Sequence, residues 1–240
     1  MKLVLPSHGG ELPPEIVATY LHLSLSNSNG VLRKIINTGH LAIQAVCDGS
    51  PSTACNKSIL NKKINDAYRG NTRFKLKVTS LNPDLKFIFA DAKGAASKRS
   101  ELSDLYGAGF NDSDDPDCQL YYSIKENVIE KLVIVVSLNS PELKQRLCLA
   151  LQLSQGLGLS LPYDMPFSKI WKQAPDGLPD GQKAFTDDDV SKLTQSYMIL
   201  SYIHLCPEIR PGMKATDIRR LLVGSSSCLD GLKFIPAQNN

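Results

Sequence analysis

Apolar positions follow two periods over residues 1–139 of this chain and one period thereafter. Ile16, Val17, Tyr20 and Leu21 follow Pro13 and Pro14 at helical spacing, and proline suits a first helical turn, where its missing N–H has no partner to lose. The Ser/Asn/Gly run from Ser24 to Gly30 ends that helix. Leu41, Ile43 and Ala45 alternate with Ala42 and Gln44, a strand, whereas Ile59, Leu60, Ile64, Ala67 and Tyr68 return to a helical stripe over residues 58–68. Between Arg73 and Thr79 the alternation is cleanest. Phe74, Leu76 and Val78 face one way and Arg73, Lys75 and Lys77 the other, as a sheet with one solvated face requires. Lys86 to Ala90 predicts a further strand and Ser97 to Tyr106 a short helix. Gln119–Lys125 and Ile129–Leu138 predict a hairpin across Glu126-Asn127.

From residue 140 the period is helical throughout. Ser140-Pro141 reads as an N-cap with proline at the first helical position, and Leu143, Leu147, Ala150, Leu151 and Leu157 continue the stripe until Gly156 and Gly158. A Pro/Gly/Asp-rich connection, Leu161 to Gln182, follows. Thr186-Asp187-Asp188-Asp189 then opens a helix, with acidic residues in its first turn and Val190, Leu193, Tyr197, Leu200 and His204 on one stripe. The Arg210-Pro211-Gly212-Met213 turn separates it from a last helix over residues 215–223. The prediction is one α+β domain over residues 1–240, sheet-rich to residue 139 and helical from 140.

Composition narrows the class. The chain has 240 residues, 27 Lys+Arg against 24 Asp+Glu and 42% apolar residues, the proportions of a globular protein with a sizeable core. A net charge of +3 gives no argument for nucleic acid. No apolar run approaches the roughly 18 residues of a membrane span. Six cysteines, Cys47, Cys55, Cys118, Cys148, Cys206 and Cys228, include no C-x-x-C pair, so zinc-ribbon and thioredoxin readings lack support. Disulfides are the positive reading and six buried thiols the alternative. Cys47 and Cys55 bracket a turn-rich segment, and Cys206 and Cys228 flank a Pro/Gly-containing unit, so each pair could meet. An oxidising compartment is the expectation. Met1 to Gly10 has no apolar stretch or cleavage site of a signal peptide, so the expectation is either a cytosolic chain or a mature form restarted at Met1.

Three features with chemical potential have plainer readings. The basic run Lys57, Lys62, Lys63, Arg69, Arg73, Lys75 and Lys77 lacks interleaved aromatic residues and reads as a solvated face. Asn111 to Asp117 offers oxygen donors for calcium, yet lacks the glycine and terminal glutamate of an EF-hand loop. His8, His22, His40 and His204 include no i, i+4 pair, and His204 lies on an apolar stripe, as a core histidine would.

The fourth feature is the segment Leu147 to Leu159. Set beside the zincin metallopeptidase helix, H-E-x-x-H-x-x-G-x-x-H, it keeps the glycine as Gly158 but has Leu151, Gln152, Gln155 and Leu161 at the histidine and glutamate positions. Leucine and an amide are neither zinc ligands nor bases. The segment resembles more closely an uncharacterised bacterial family of exported, zincin-like proteins, a domain of unknown function. That family shows a helix with Cys, then Glu-Glu-Leu-Thr-Gln and Leu-Gly-Leu, and later a Pro-x-Leu-Arg-Pro-Gly-Met turn. The matches are Cys148, Leu153, Gln155, Leu157, Gly158 and Leu159, then Pro207, Ile209, Arg210, Pro211, Gly212 and Met213, with Asp164 and Ser168 between them. They cover mainly residues 141–223, and Leu151 and Gln152 depart from the acidic pair.

The resemblance implies a zincin-like fold, a mixed sheet packed with helices, and an extracytoplasmic address with disulfides. It makes Met213 a relic of the methionine turn below the metal. Cys148, Leu151, Gln152 and Gln155 share one helix face, so Gln152, Gln155, Asp164 and Met213 are the candidate residues of a cleft that binds without catalysing. The expected function is an inactive, exported binding module for a protein, peptide or glycan, with no catalytic residue, metal or cofactor. The alternatives are a hydrolase with another catalytic set and a structural envelope component.

Overall fold

The computed structural model of the chain describes residues 12–26, 30–35, 40–48, 56–67, 75–106, 115–160, 187–224 and 228. Within them six strands and six helices follow in the order α1 (Pro14–Leu25), β1 (Lys34–Ile35), β2 (His40–Asp48), α2 (Lys57–Ala67), β3 (Lys75–Val78), β4 (Leu85–Ala90), α3 (Ala92–Tyr106), β5 (Cys118–Lys125), β6 (Val128–Ser137), α4 (Glu142–Gly156), α5 (Asp187–His204) and α6 (Ala215–Gly224). Pairs of strands alternate with helices up to β6, and among the described residues helices alone follow it.

The sheet is mixed. β3, β2, β4 and β6 are neighbours in that order and all run parallel, in a register that sets Ala45 beside Phe87 and Phe87 beside Ile134. β1 pairs in parallel with the first two residues of β6, and β5 pairs antiparallel along its whole length. Parallel strands need cover on both faces. In β4 and β6, Phe87, Phe89, Leu132, Ile134 and Val136 enter the large core cluster, while Ile88, Ala90, Val133 and Val135 enter a smaller one. Ala95 and Leu102 of α3 close the smaller cluster, and the other five helices contribute to the large one, giving three layers. The solvated face expected at Arg73–Thr79 is found only at the β3 edge. There Lys77 is exposed, but so is Val78, at 47%. Phe74 and Arg73 lie outside the described residues.

Local signals account for most boundaries. Glu126 and Asn127 take φ of 50° and 67°, the positive pair that a two-residue type I′ hairpin turn demands. α3 begins five residues before the expected Ser97. The Asp91 carboxylate accepts from the Gly94 N–H at 2.7 Å, and the Asn139 side-chain oxygen accepts from the Ala92 N–H at 2.8 Å, so a weakly apolar first turn is held by its caps. Pro141, rather than Ser140, takes the N-cap of α4, and no side chain caps that end. Thr186, expected to open α5, lies outside the described residues.

α4 ends in a Schellman motif. The Leu159 N–H donates to the Ser154 carbonyl at 3.1 Å and the Gly158 N–H to the Gln155 carbonyl at 2.9 Å, with Gly158 at φ +117°. A side chain at 158 has no room, since a Cβ there would lie 2.2 Å from the Arg33 carbonyl oxygen and 2.8 Å from His204 Nε2. On the same short segment, Leu32 exchanges backbone hydrogen bonds with the turn before α6, donating to Met213 O at 3.0 Å and accepting from Gly212 N at 2.9 Å. Lys34 is buried and donates to the carbonyls of Cys206 and Ile209, both at 2.7 Å, at the C-terminal end of α5.

Disulfides join Cys118 at the start of β5 to Cys148 in α4, and Cys206 to Cys228 across α6. The second is one of the pairings that the sequence brackets with turns. Cys47 is also disulfide-bonded, and Cys55 lies outside the described residues. No helix among the described residues is long and apolar enough to cross a membrane.

Gly158→Ala tests the closest approach in this fold. The backbone strain and the clash together should lower unfolding free energy by about 3 kcal/mol or more, read as a shift in the denaturant midpoint at unchanged slope.

Candidate functional site

Helix α4 carries the candidate residues, and its position decides what each can touch. Cys148, Leu151, Gln152 and Gln155 do lie on one side of it, and that side looks into the protein. Cys148 is bonded to β5, and one turn past Gln152 the Gly156 backbone approaches Leu132 so closely that a Cβ would lie 2.9 Å from that side chain. Leu151 and Gln152 are both completely buried. Neither the amide oxygen nor the amide nitrogen of Gln152 has a hydrogen-bond partner. An amide in that state loses its hydration and recovers nothing, at a cost of about 1–3 kcal/mol.

Gln155, half-buried, is the polar residue of this face that reaches a hollow. With Ser24, Arg33, Tyr122, Gly158 and Ser160 it lines about 20 Å³ of space, enough for a water molecule. Burial pushes the Tyr122 phenol up to about 12, against the lowering pull of the Arg33 guanidinium, so its O–H remains a donor at any physiological pH. Ser160 is fixed on three sides: its hydroxyl meets the Ser26 hydroxyl at 2.7 Å, its N–H donates to Leu23 O at 2.6 Å, and its carbonyl accepts from the Tyr197 hydroxyl at 2.8 Å. The hollow therefore offers a guanidinium, a phenol and an amide at the C-terminal end of α4.

Met213 is not part of that hollow. Its sulfur accepts from the Arg210 N–H at 3.1 Å, and its side chain packs, half-buried, on the large core cluster, so it holds the turn that pairs with Leu32. Asp164 and Ser168 lie outside the described residues. The residues at the zinc-ligand positions do not fit a metal: Leu151 has no donor atom, Gln152 and Gln155 are amides, and the third histidine of the motif is replaced by Leu161, which lies outside the described residues.

Among the described residues the histidines do not assemble elsewhere. His204 is fully buried, with its Nε2 2.8 Å from the Leu157 carbonyl and its Nδ1 3.0 Å from the Tyr20 hydroxyl. A carbonyl can only accept, so Nε2 carries the proton and Nδ1 accepts from the tyrosine. Burial, with the Lys34 charge nearby, pulls the imidazole down to about 3. It is a structural, neutral histidine whose two nitrogens are both used. His22 and His40 are exposed, and His8 lies outside the described residues.

Two residues of the acidic segment are also accounted for. Lys144, buried in the first turn of α4, pairs with Asp115 at 3.0 Å and Asp117 at 2.8 Å, fastening the helix to the start of β5. Burial raises the Asp117 carboxyl, but the Lys144 ammonium outweighs it and holds the group below the usual carboxylate range. Of the basic run, Lys62 and Lys77 are exposed and Lys63 donates to the Gln145 amide oxygen at 2.9 Å.

The sequence does not single out Arg33, Tyr122, Ser24 or Ser160. They come from four different segments and meet only where the chain before β1 passes the end of α4. Gly158 is the one readable signal for that crossing. No protein-family model matches the chain, and no curated protein matches it significantly.

Two measurements follow from these contacts. Gln152→Leu replaces an amide that has lost its hydration by an apolar group of similar volume and should raise stability by about 1–2 kcal/mol in denaturant unfolding. A loss of stability would mean that the amide has a partner in solution. His204 refuses a proton that the unfolded chain accepts, so stability should fall as pH drops from about 6.5 towards 3, by up to about 1.4 kcal/mol per unit. His204→Gln, with a donor and an acceptor but no titration, should flatten that slope.

Proposed function

We propose that this chain is a zincin-like protein without metal or catalysis, which works outside the cytoplasm as a binding module for an extended polypeptide segment. One observation carries the reading: α4 presents Leu151, Gln152 and Gln155 where a zinc peptidase has two ligands and a base, and two of the three are sealed in the core. A mixed sheet, the glycine stop of α4 and the Met213 turn beside the chain entering β1 are consistent with the zincin-like architecture.

Two features support a polypeptide as the ligand. β5 is the edge strand of the sheet beside α4, and a sheet edge is where an extended segment adds through main-chain hydrogen bonds. The hollow at Gln155, Arg33 and Tyr122, the last on β5 itself, gathers polar side chains at the end of α4 next to that strand. Disulfides suit an oxidising compartment, which supports the extracytoplasmic address.

Panning a displayed random-peptide library against the oxidised full chain tests the reading. Enriched peptides should bind Gln155→Ala and Tyr122→Phe about tenfold more weakly than the parent, the loss of about one hydrogen bond each. Equal binding to parent and both variants would overturn the site. Chelator-sensitive turnover of a fluorogenic peptide by the zinc-supplemented protein would overturn the inactivity.

A further inference from the structure

Among the described residues one group of metal-ligating side chains lies close together: Cys206, Glu208 and Cys228, whose donor atoms are all within 4.8 Å of one another. Cys206 follows α5 and Cys228 follows α6, and both are fully buried in their disulfide. Glu208 is exposed, yet its Oε2 lies 2.7 Å from Cys206 Sγ and 3.9 Å from Cys228 Sγ.

That contact has nothing to satisfy it in the oxidised pair. A disulfide sulfur carries no hydrogen, and a carboxylate at neutral pH offers only lone pairs. Two other states of the same side chains make it favourable. In the dithiol, the Cys206 S–H donates to the carboxylate. With a divalent cation, two thiolates and the carboxylate become ligands. The carbonyls at the end of α5 favour positive charge, and Lys34 already brings a buried ammonium to the Cys206 and Ile209 carbonyls there. Two thiolates and a carboxylate carry three negative charges, of which a divalent cation cancels two, with Lys34 beside the same loop. The exposed carboxylate gives the ion a way in.

We propose that Cys206, Cys228 and Glu208 form a redox-gated site for a thiophilic divalent cation of the zinc type. Oxidised, the site is closed as a disulfide. A dithiol or phosphine supplies the two electrons that break the S–S bond, and two protons from solvent give the thiols. The cation then displaces both thiol protons to solvent and forms two metal–sulfur bonds and one to carboxylate oxygen, leaving a fourth position open to water. The proposal stands or falls independently of the reading of the α4 face.

The test uses the full chain, reduced with a phosphine without oxygen and titrated with Co²⁺. Thiolate-to-cobalt charge transfer in the near ultraviolet, with the visible bands of a tetrahedral ion, should saturate at one ion per chain. The oxidised chain should give no such bands. Cys206→Ser/Cys228→Ser should abolish them, and Glu208→Gln should weaken binding about tenfold or more, the scale seen when a metal site's supporting groups are lost. No bands from the reduced, folded chain, bands persisting in the double serine variant, or unchanged affinity in Glu208→Gln would each overturn the proposal. If the reduced chain loses its fold, refolding with and without Zn²⁺ is the readout. Zinc should restore the far-ultraviolet dichroism of the parent but of neither variant, and failure to restore it in the parent would overturn the site.

Discussion

The helical side of this protein depends on the passage of residues 31–35 between the ends of three helices. At Arg33 the backbone carbonyl comes so near Gly158 that no side chain can stand there. The residue before it is stitched to the Met213 turn, and the residue after it holds the end of α5 through Lys34. His204 joins the same crossing by bonding the Leu157 carbonyl and the Tyr20 hydroxyl. α1, α4, α5 and α6 are thus positioned around one strand-sized segment by backbone and buried polar groups. Apolar burial drives these helices onto the sheet, but it is non-directional. The directional contacts at residues 32–34 fix where each helix ends.

That division between burial and direction separates what was legible in the sequence from what was not. The β5–β6 hairpin was legible because alternation and turn chemistry are both local, and Glu126-Asn127 carries its own conformational preference. The start of α3 was not, because one of its caps, Asn139, is 47 residues away. The burial of Lys34 could not be read for the same reason: its carbonyl partners are 172 and 175 residues further on. The candidate face of α4 was legible as a face, since periodicity says which residues lie together. Periodicity does not say what the face looks at, and the sheet takes up Gln152 where a cleft was expected.

The polar groups of the interior fall into two kinds. His204, Lys34, Lys144 and Ser160 are buried with partners at ordinary hydrogen-bond distances, and each links elements far apart in the chain. Gln152 is buried with none. Asn61 and Ser140 each leave one buried side-chain oxygen unpaired as well, whereas Gln152 leaves both ends of its amide so, and leucine would fill the same place without that cost.

The bond between Cys118 and Cys148 encloses the turn at Glu126-Asn127, all of β5 and β6 and the first half of α4 in a single covalent ring. Glu126 is exposed at the tip of that ring. A protease that cut the chain there would separate nothing: the two pieces would stay joined through sulfur and through the ladder between the strands. Before reduction the nick would add one water to the mass and leave the two pieces migrating as one.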